Sequence, residues 1–398
     1  MYTIGNEEVE AVRRVAERKQ TFRYGDPASG HGNEVVHFEE EWANHIGVPH
    51  VLATTSGTAS LICALAAFGI GPGDEVIVPG YTYIATALAV TNVGAIPVIV
   101  DIDESCTMDP SALEAAIGPR TRAVIPVHMQ GMPCDLGRIL AIAKKHDLLV
   151  AEDACQAVGG SYQGKHLGTW GDAGAFSFNH YKILSAGESG AFVTSKASYY
   201  ERAFIQHDGG CSLWPEVVGM TEDIFGGGNF RSNEFAAAIL REQLKRLPGI
   251  LDHLSASKRA FVSGLSLPDS IRIAPVHDLD GDCGVQTLLT AESPDVCRRA
   301  LEALNNAGVP AVTPADSNRH IYANWQPIMN RRGAHHPALD PFRMAENAEC
   351  RSSYAPDMLP QTLSVLDRSI MIMHSTDWDA SERDRMVEVT SRVLRTVG

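Results

Sequence analysis

Residues 50–102 read HVLATTSGTASLICALAAFGIGPGDEVIVPGYTYIATALAVTNVGAIPVIVDI. Three short apolar runs, HVLATT (50–55), EVIVPG (75–80) and IPVIVDI (96–102), alternate with two helical patterns, SLICALAAFGI and ATALAVTNVG. A strand with one wet face carries polar residues at alternate positions, whereas these runs are apolar nearly throughout. Such strands need a cover on both faces, and helices that cross between parallel strands provide it. The alternation continues through RAVIPVH (122–128), LLVAED (148–153), AGAFSF (173–178) and GAFVTS (190–195), with helical SALEAAIG and LGRILAIAKKHD between the earlier ones. The predicted fold is α/β: a three-layer α/β/α domain on a mainly parallel sheet.

The flanks follow different rules. Residues 6–19 (NEEVEAVRRVAERK) predict an amphipathic helix capped by Asn6, and HFEEEWANHIG begins a second helix after an irregular loop at 20–35. Beyond residue 195, a helix over KASYYERAFIQHD leads to the loop Gly226-Gly227-Gly228 and a helix from Arg231 to about Leu247. Pro248-Gly249 is expected to end that helix and to divide the chain into a large domain, 1–248, and a small α+β domain, 249–398. The latter reads as strands IRIAPV and VQTLLTA, helix PDVCRRALEALNNAG, an irregular stretch at 315–340, strand SIMIM and a helix over 377–396.

Composition narrows the function. The 398 residues carry 33 Lys+Arg against 48 Asp+Glu, a net charge of −15, which argues against nucleic-acid or anionic-membrane partners. No apolar run is long enough to span a bilayer, and the acidic opening MYTIGNEEVE lacks the basic start of a signal peptide. The eight cysteines are scattered without a C-x-x-C pair, so no metal site is expected and a reduced, cytoplasmic setting is. Gly69-Ile70-Gly71-Pro72-Gly73 precedes a strand and does not follow one, so it reads as a helix stop and not as a dinucleotide loop.

Ligands of open α/β sheets bind at the carboxyl ends of the strands. After HVLATT come Ser56-Gly57-Thr58, small residues at a helix start where backbone N–H groups can meet an anion. After LLVAED comes Asp153, an acid at the end of a buried strand, which needs a cation or strong donor. Lys182 follows AGAFSF, 29 positions beyond Asp153, between apolar strands and glycine turns. Lysine for a Schiff base, aspartate for a pyridinium nitrogen and a helix start for a phosphate make the pyridoxal phosphate constellation.

SGTASL, PGYTYIAT, EDACQAVGGSYQGKHLGTWGD, FSFNHYKILSAGESGAFVTS and GGGNFRSNEFAAAI, in that order, resemble the DegT/DnrJ/EryC1/StrS aminotransferases. The resemblance is strong over about residues 30–250. It implies the fold-type I architecture, with pyridoxal 5'-phosphate as cofactor. It implies that Lys182 is the Schiff-base lysine, that Asp153 pairs with the pyridinium nitrogen and that Gln156 bonds the ring's phenolic oxygen. Tyr83 matches the aromatic that stacks on the ring; Gly57, Thr58 and Ser177 match phosphate contacts. Asn229 matches a residue reaching the neighbouring subunit's phosphate, which implies a homodimer with shared active sites. Arg231 is a candidate for the site edge or a structural ion pair, and His320 and Tyr322 for substrate contacts or loop packing.

Some family members carry His in place of the lysine and act as dehydratases; Lys182 is present here, which favours transamination. The expected reaction moves an amino group from glutamate or glutamine to a ketone on a sugar or cyclitol. Dehydration or other carbanion chemistry on the same fold, and a non-catalytic regulatory homologue, are the alternatives. Gly187-Glu188-Ser189-Gly190 resembles the G-E-G-G of relatives that work on keto-cyclitols or make aminohydroxybenzoate more than the G-D-G-G of many nucleotide-sugar enzymes, a resemblance that tilts the expected acceptor and leaves nucleotide-linked keto-sugars open.

Overall fold

A computed structural model describes residues 4–213 and 220–397. In the first part, strands β1 (His50–Thr54), β2 (Glu75–Pro79), β3 (Ile96–Val100), β4 (Thr121–Val124) and β5 (Leu149–Asp153) come first. A two-strand ribbon, β6 (Ser161–Tyr162) and β7 (Lys165–His166), precedes β8 (Ala173–Ser177) and β9 (Gly190–Thr194). The helices are α1 (Asn6–Arg18), α2 (Glu34–Ile46), α3 (Gly57–Ala67), α4 (Ala85–Asn92), α5 (Pro110–Ala115), α6 (Leu136–Lys145) and α7 (Ala197–His207). The long helix α8 (Glu234–Gly264) leads to β10 (Ile271–Ile273), β11 (Gln286–Ala291), α9 (Pro294–Asn306) and β12 (Ala311–Val312). After these come α10 (Gln326–Met329), α11 (Pro360–Asp367), β13 (Ser369–Met373) and α12 (Ala380–Leu394).

The large sheet has the order β1-β9-β8-β5-β4-β2-β3. Only β9 runs against the rest, being antiparallel to both β1 and β8, so the sheet is mainly parallel as predicted. Successive side chains of a strand serve opposite layers. Val76 and Val78 pack with α3, α4 and α7, while Ile77 between them packs with α5 and α6. Each such buried side chain contributes roughly 1.5–3 kcal/mol, which is why both faces of β2 must be apolar. The smaller sheet, β10-β11-β13-β12, is wholly antiparallel and packs its own core against α9 and α12.

Three expectations change. The N-cap of α1 is Gly5, not Asn6: Glu8 Oε2 accepts the N–H of Gly5 at 2.8 Å, which starts the helix one residue earlier. Pro248 lies inside α8 and does not end it, so the boundary expected there falls within a continuous helix. A mid-helix proline costs about 3 kcal/mol, but Pro248 is exposed, where water can take the freed carbonyl. Leu240, Leu247 and Leu254 bury one stretch of α8 in the large core, and Phe261 buries the next in the small one. We place the change from one core to the other between Leu254 and Phe261. The stretch 315–340 also contains the short helix α10, and β12 and α11 add to the expected elements. Gly69, with φ +72°, stops α3 as expected. Among the described residues no helix is long and apolar enough to cross a membrane.

Candidate active site

The parallel strands β1, β2, β5 and β8 deliver their carboxyl ends to one edge of the sheet. Two adjoining cavities open there, one of about 550 Å³ and one of about 200 Å³. Tyr83, Gln156, Asn179 and Lys182 border both. The loop that carries Lys182 is pinned at its base: Phe178 N donates to Ser189 O at 2.8 Å and His180 N to Gly187 O at 3.0 Å. This holds a half-buried lysine at the junction of the two chambers.

The smaller chamber is lined by Gly57, Thr58, Asp153, Cys155 and Ser177. Helix α3 begins at its wall, with Ser56 as N-cap accepting from Ala59 N at 3.1 Å. The remaining first-turn N–H groups have no partner within the helix, and the helix field adds positive potential at that end. A Cβ on Gly57 would stand 2.6 Å from Cys155 Sγ and 2.9 Å from Ser177 Cβ, so only glycine fits. The result is an anion cradle of backbone amides and small hydroxyls.

Asp153 forms the buried floor. Its Oδ1 accepts from Cys155 N at 3.1 Å and its Oδ2 from Thr86 Oγ1 at 2.8 Å. Burial, reinforced by the Asp153 charge, drives the Cys155 thiol far above its ordinary range, so Cys155 is a neutral wall and not a nucleophile. Gln156 Oε1 accepts from Gln130 N at 3.2 Å. Gln130 holds a left-handed backbone, φ +52°, to reach the larger chamber.

Tyr83 is 44% exposed, so its ring faces open space and is no core aromatic. His320 borders the larger chamber with its ring 5.7 Å from that of Tyr83. Burial, with the nearby charges of Lys182 and Arg319, pushes His320 down to about 4. It is therefore a neutral hydrogen-bonding group near neutral pH.

Three of the candidates lie elsewhere. Tyr322 is fully buried, its hydroxyl donating to Pro356 O at 2.8 Å and accepting from Leu359 N at 3.0 Å. It packs a loop and borders neither chamber. Arg231 pairs with the buried Asp208 at 2.6 Å and lies over the Phe22 ring, the structural ion pair of the two alternatives. Asn229, bridged to Asp208, also stands outside both chambers of its own chain. Nothing in the local sequence marks Thr86 or Gln130: a helix threonine and a loop glutamine are common, and only the fold brings them to Asp153 and Gln156.

The model of the DegT/DnrJ/EryC1/StrS aminotransferase family matches residues 3–313. The chain belongs to this family. Within it, the chain is 35% identical to an L-glutamine:2-deoxy-scyllo-inosose aminotransferase of Streptoalloteichus tenebrarius, over 98% of this chain and 92% of that one. It is 42% identical to a GDP-perosamine synthase of Caulobacter vibrioides, where the match spans 57% of this chain and 60% of that protein. The crystal structure of 3-amino-5-hydroxybenzoic acid synthase superposes with a TM-score of 0.77 at 27% identity, covering 99% of this chain and 97% of that one. The family fold is thus present over the whole length, the small antiparallel sheet included.

Proposed function

We propose that this aminotransferase uses pyridoxal 5'-phosphate to move an amino group from glutamine or glutamate to a ketone on a cyclitol or sugar. The observation that carries the reading is the position of Lys182, between a chamber floored by Asp153 and a larger one bordered by polar side chains. The donor set suits the cofactor. The α3 amides with Thr58 and Ser177 make an anion site, Asp153 accepts a proton-bearing ring nitrogen, and Gln156 and Tyr83 border the space between. When bound, the cofactor supplies an electron-accepting ring that stabilises the carbon from which a proton departs.

The chain's own groups do the rest. Lys182 Nζ would hold the cofactor, and its amine is placed to carry a proton to and from the reacting carbon. Asp153, held by Thr86 and Cys155 N, keeps the ring nitrogen oriented. Neutral His320 and Gln130 offer hydrogen bonds to the hydroxyls of a polyol acceptor without adding charge. The relatives' names supply the donor and both acceptor classes. Asn229, unused in its own chain's chambers, supports a homodimer in which it serves the partner's site. A cytoplasmic setting fits eight free thiols.

The test is spectroscopic. Protein purified with pyridoxal phosphate should show a visible band that Lys182→Ala abolishes; an unchanged spectrum in that variant would sink the assignment. Cofactor converted with glutamine and then offered inososes, nucleotide-linked keto-sugars and small keto acids should regain the band only with a true acceptor.

A further inference from the structure

We propose that Thr82 and Thr86 are positioning residues that fix the Asp153 carboxylate and tie it to the acceptor-facing segment at His320. The inference rests on the reading of Asp153 as the partner of the cofactor's ring nitrogen. Thr86 Oγ1 donates to Asp153 Oδ2 at 2.8 Å, and Thr82 Oγ1 lies 2.8 Å from Thr86 Oγ1. A hydroxyl has one proton, and that of Thr86 is on the carboxylate, so Thr82 must donate to Thr86. The chain of hydroxyls therefore has a single direction, Thr82 to Thr86 to Asp153. All three residues are buried, at 1%, 0% and 5% exposure.

The second half of the argument lies in the backbone. Thr82 N donates to His320 O at 2.9 Å, and Tyr322 N donates to Gly80 O at 3.0 Å. Residues 80–82 and 320–322 thus form an antiparallel bridge centred on Tyr81 and Ile321. His320 and Asp153 share one anchor, Thr82, although they are far apart in the sequence. With Cys155 N on Oδ1 and Thr86 on Oδ2, the carboxylate has a donor at each oxygen and cannot rotate. Each oxygen keeps a lone pair for one further donor. Threonine suits the task because its branched Cβ leaves few rotamers. In a helix its hydroxyl otherwise bonds back to a carbonyl of the preceding turn.

The experiment uses cofactor-loaded wild type, Thr86→Val, Thr86→Ser and Thr82→Val. Valine keeps the shape and removes the hydroxyl. Thr86→Val should bind cofactor through Lys182 and keep the visible band, but the pH midpoint of that band should shift. Its kcat should fall about tenfold, with the donor KM within about twofold, the loss expected for one hydrogen bond to a charged group. Thr86→Ser should restore both readouts, and Thr82→Val should move them the same way by less. A wild-type midpoint and kcat in Thr86→Val would overturn the proposal. So would a Thr86→Ser as impaired as the valine variant, since packing and not the hydroxyl would then matter. If Thr86→Val does not fold, unchanged readouts in Thr82→Val overturn it. Absence of a Lys182-dependent band from wild type overturns instead the cofactor reading beneath it.

Discussion

His128 Nε2 lies 3.1 Å from Glu152 Oε2, and both side chains are fully buried directly behind the site. Cys134 N donates to His128 Nδ1 at 3.2 Å, so the ring proton sits on Nε2 and faces the carboxylate. Glu152 also accepts from Gly168 N (2.9 Å), Trp170 N (2.6 Å) and Gly171 N (2.7 Å). Four donors on one buried carboxylate make it a structural clamp beside Asp153, whose own carbonyl accepts from His128 N at 3.1 Å.

Glu152→Gln should therefore destabilise the fold severely. Its amide would turn N–H groups toward donors, a cost of about 3 kcal/mol. Urea denaturation of holoenzyme should show the loss, whereas Glu114→Gln, which breaks an exposed pair with Lys145, should hardly move the midpoint. Equal midpoints for the two variants would contradict the clamp.

Gly57→Ala tests the anion cradle. The added methyl meets Cys155 Sγ and Ser177 Cβ inside ordinary contact distance, so the α3 start must shift away from the phosphate position. Titration of the apo variant with pyridoxal phosphate should give a Kd raised at least about tenfold, which is about 1.4 kcal/mol of lost binding. The double variant Gly57→Ala/Cys155→Ala should recover part of it, because the closest clash is removed. An unchanged Kd in the single variant would show that the phosphate lies elsewhere.

The large sheet was legible because burial on both faces favours apolar side chains: Val76, Ile77 and Val78 of β2 and the run Ile96–Val100 announce themselves by composition. Gly57, Asp153 and Lys182 followed from the rule that ligands sit at carboxyl ends, and Ser177 from the family resemblance alone. What failed depended on tertiary packing. Pro248 reads as a stop locally, yet Leu247 and Leu254 hold the helix in the core across it. Strand geometry would put His320 and Tyr322, two positions apart, on one face, but the chain turns into a short 3-10 helix at Tyr322–Asn324 and the two side chains part. One reaches the chamber and the other the core, and nothing in the triplet says which.

That division yields a paired prediction. Tyr322→Phe should lose about 1–2 kcal/mol of stability, because Pro356 O and Leu359 N lose their shared partner in a buried setting. Its kcat/KM for the acceptor should stay within about twofold of wild type. His320→Ala should do the reverse, keeping its thermal midpoint while acceptor kcat/KM falls by about tenfold or more, as for one lost hydrogen bond. If Tyr322→Phe were the catalytically impaired variant, the assignment of the two side chains would be inverted.

Stability toward acid offers a check far from the cofactor. His374 is buried against Phe261 and Trp378, with Nε2 2.9 Å from Thr287 Oγ1. Burial, helped by the charge of Lys258, pushes it down to about 3. Lys258 itself is paired with Asp282 at 2.5 Å, so a cation is already held close to His374. The unfolded chain binds a proton at His374 below about pH 6.5, and the native protein does not until about pH 3. The native state therefore loses stability as pH falls through that window and keeps it in full above. At pH 5 the loss from this one residue is about 2 kcal/mol, set by the unfolded value alone. Denaturant unfolding at pH 8 and pH 5 should show wild type losing about 2 kcal/mol more than His374→Asn between the two. Carboxylates titrate in both proteins and cancel in that difference. Identical losses would mean that His374 is protonated in the native state, and that its pocket is open to water.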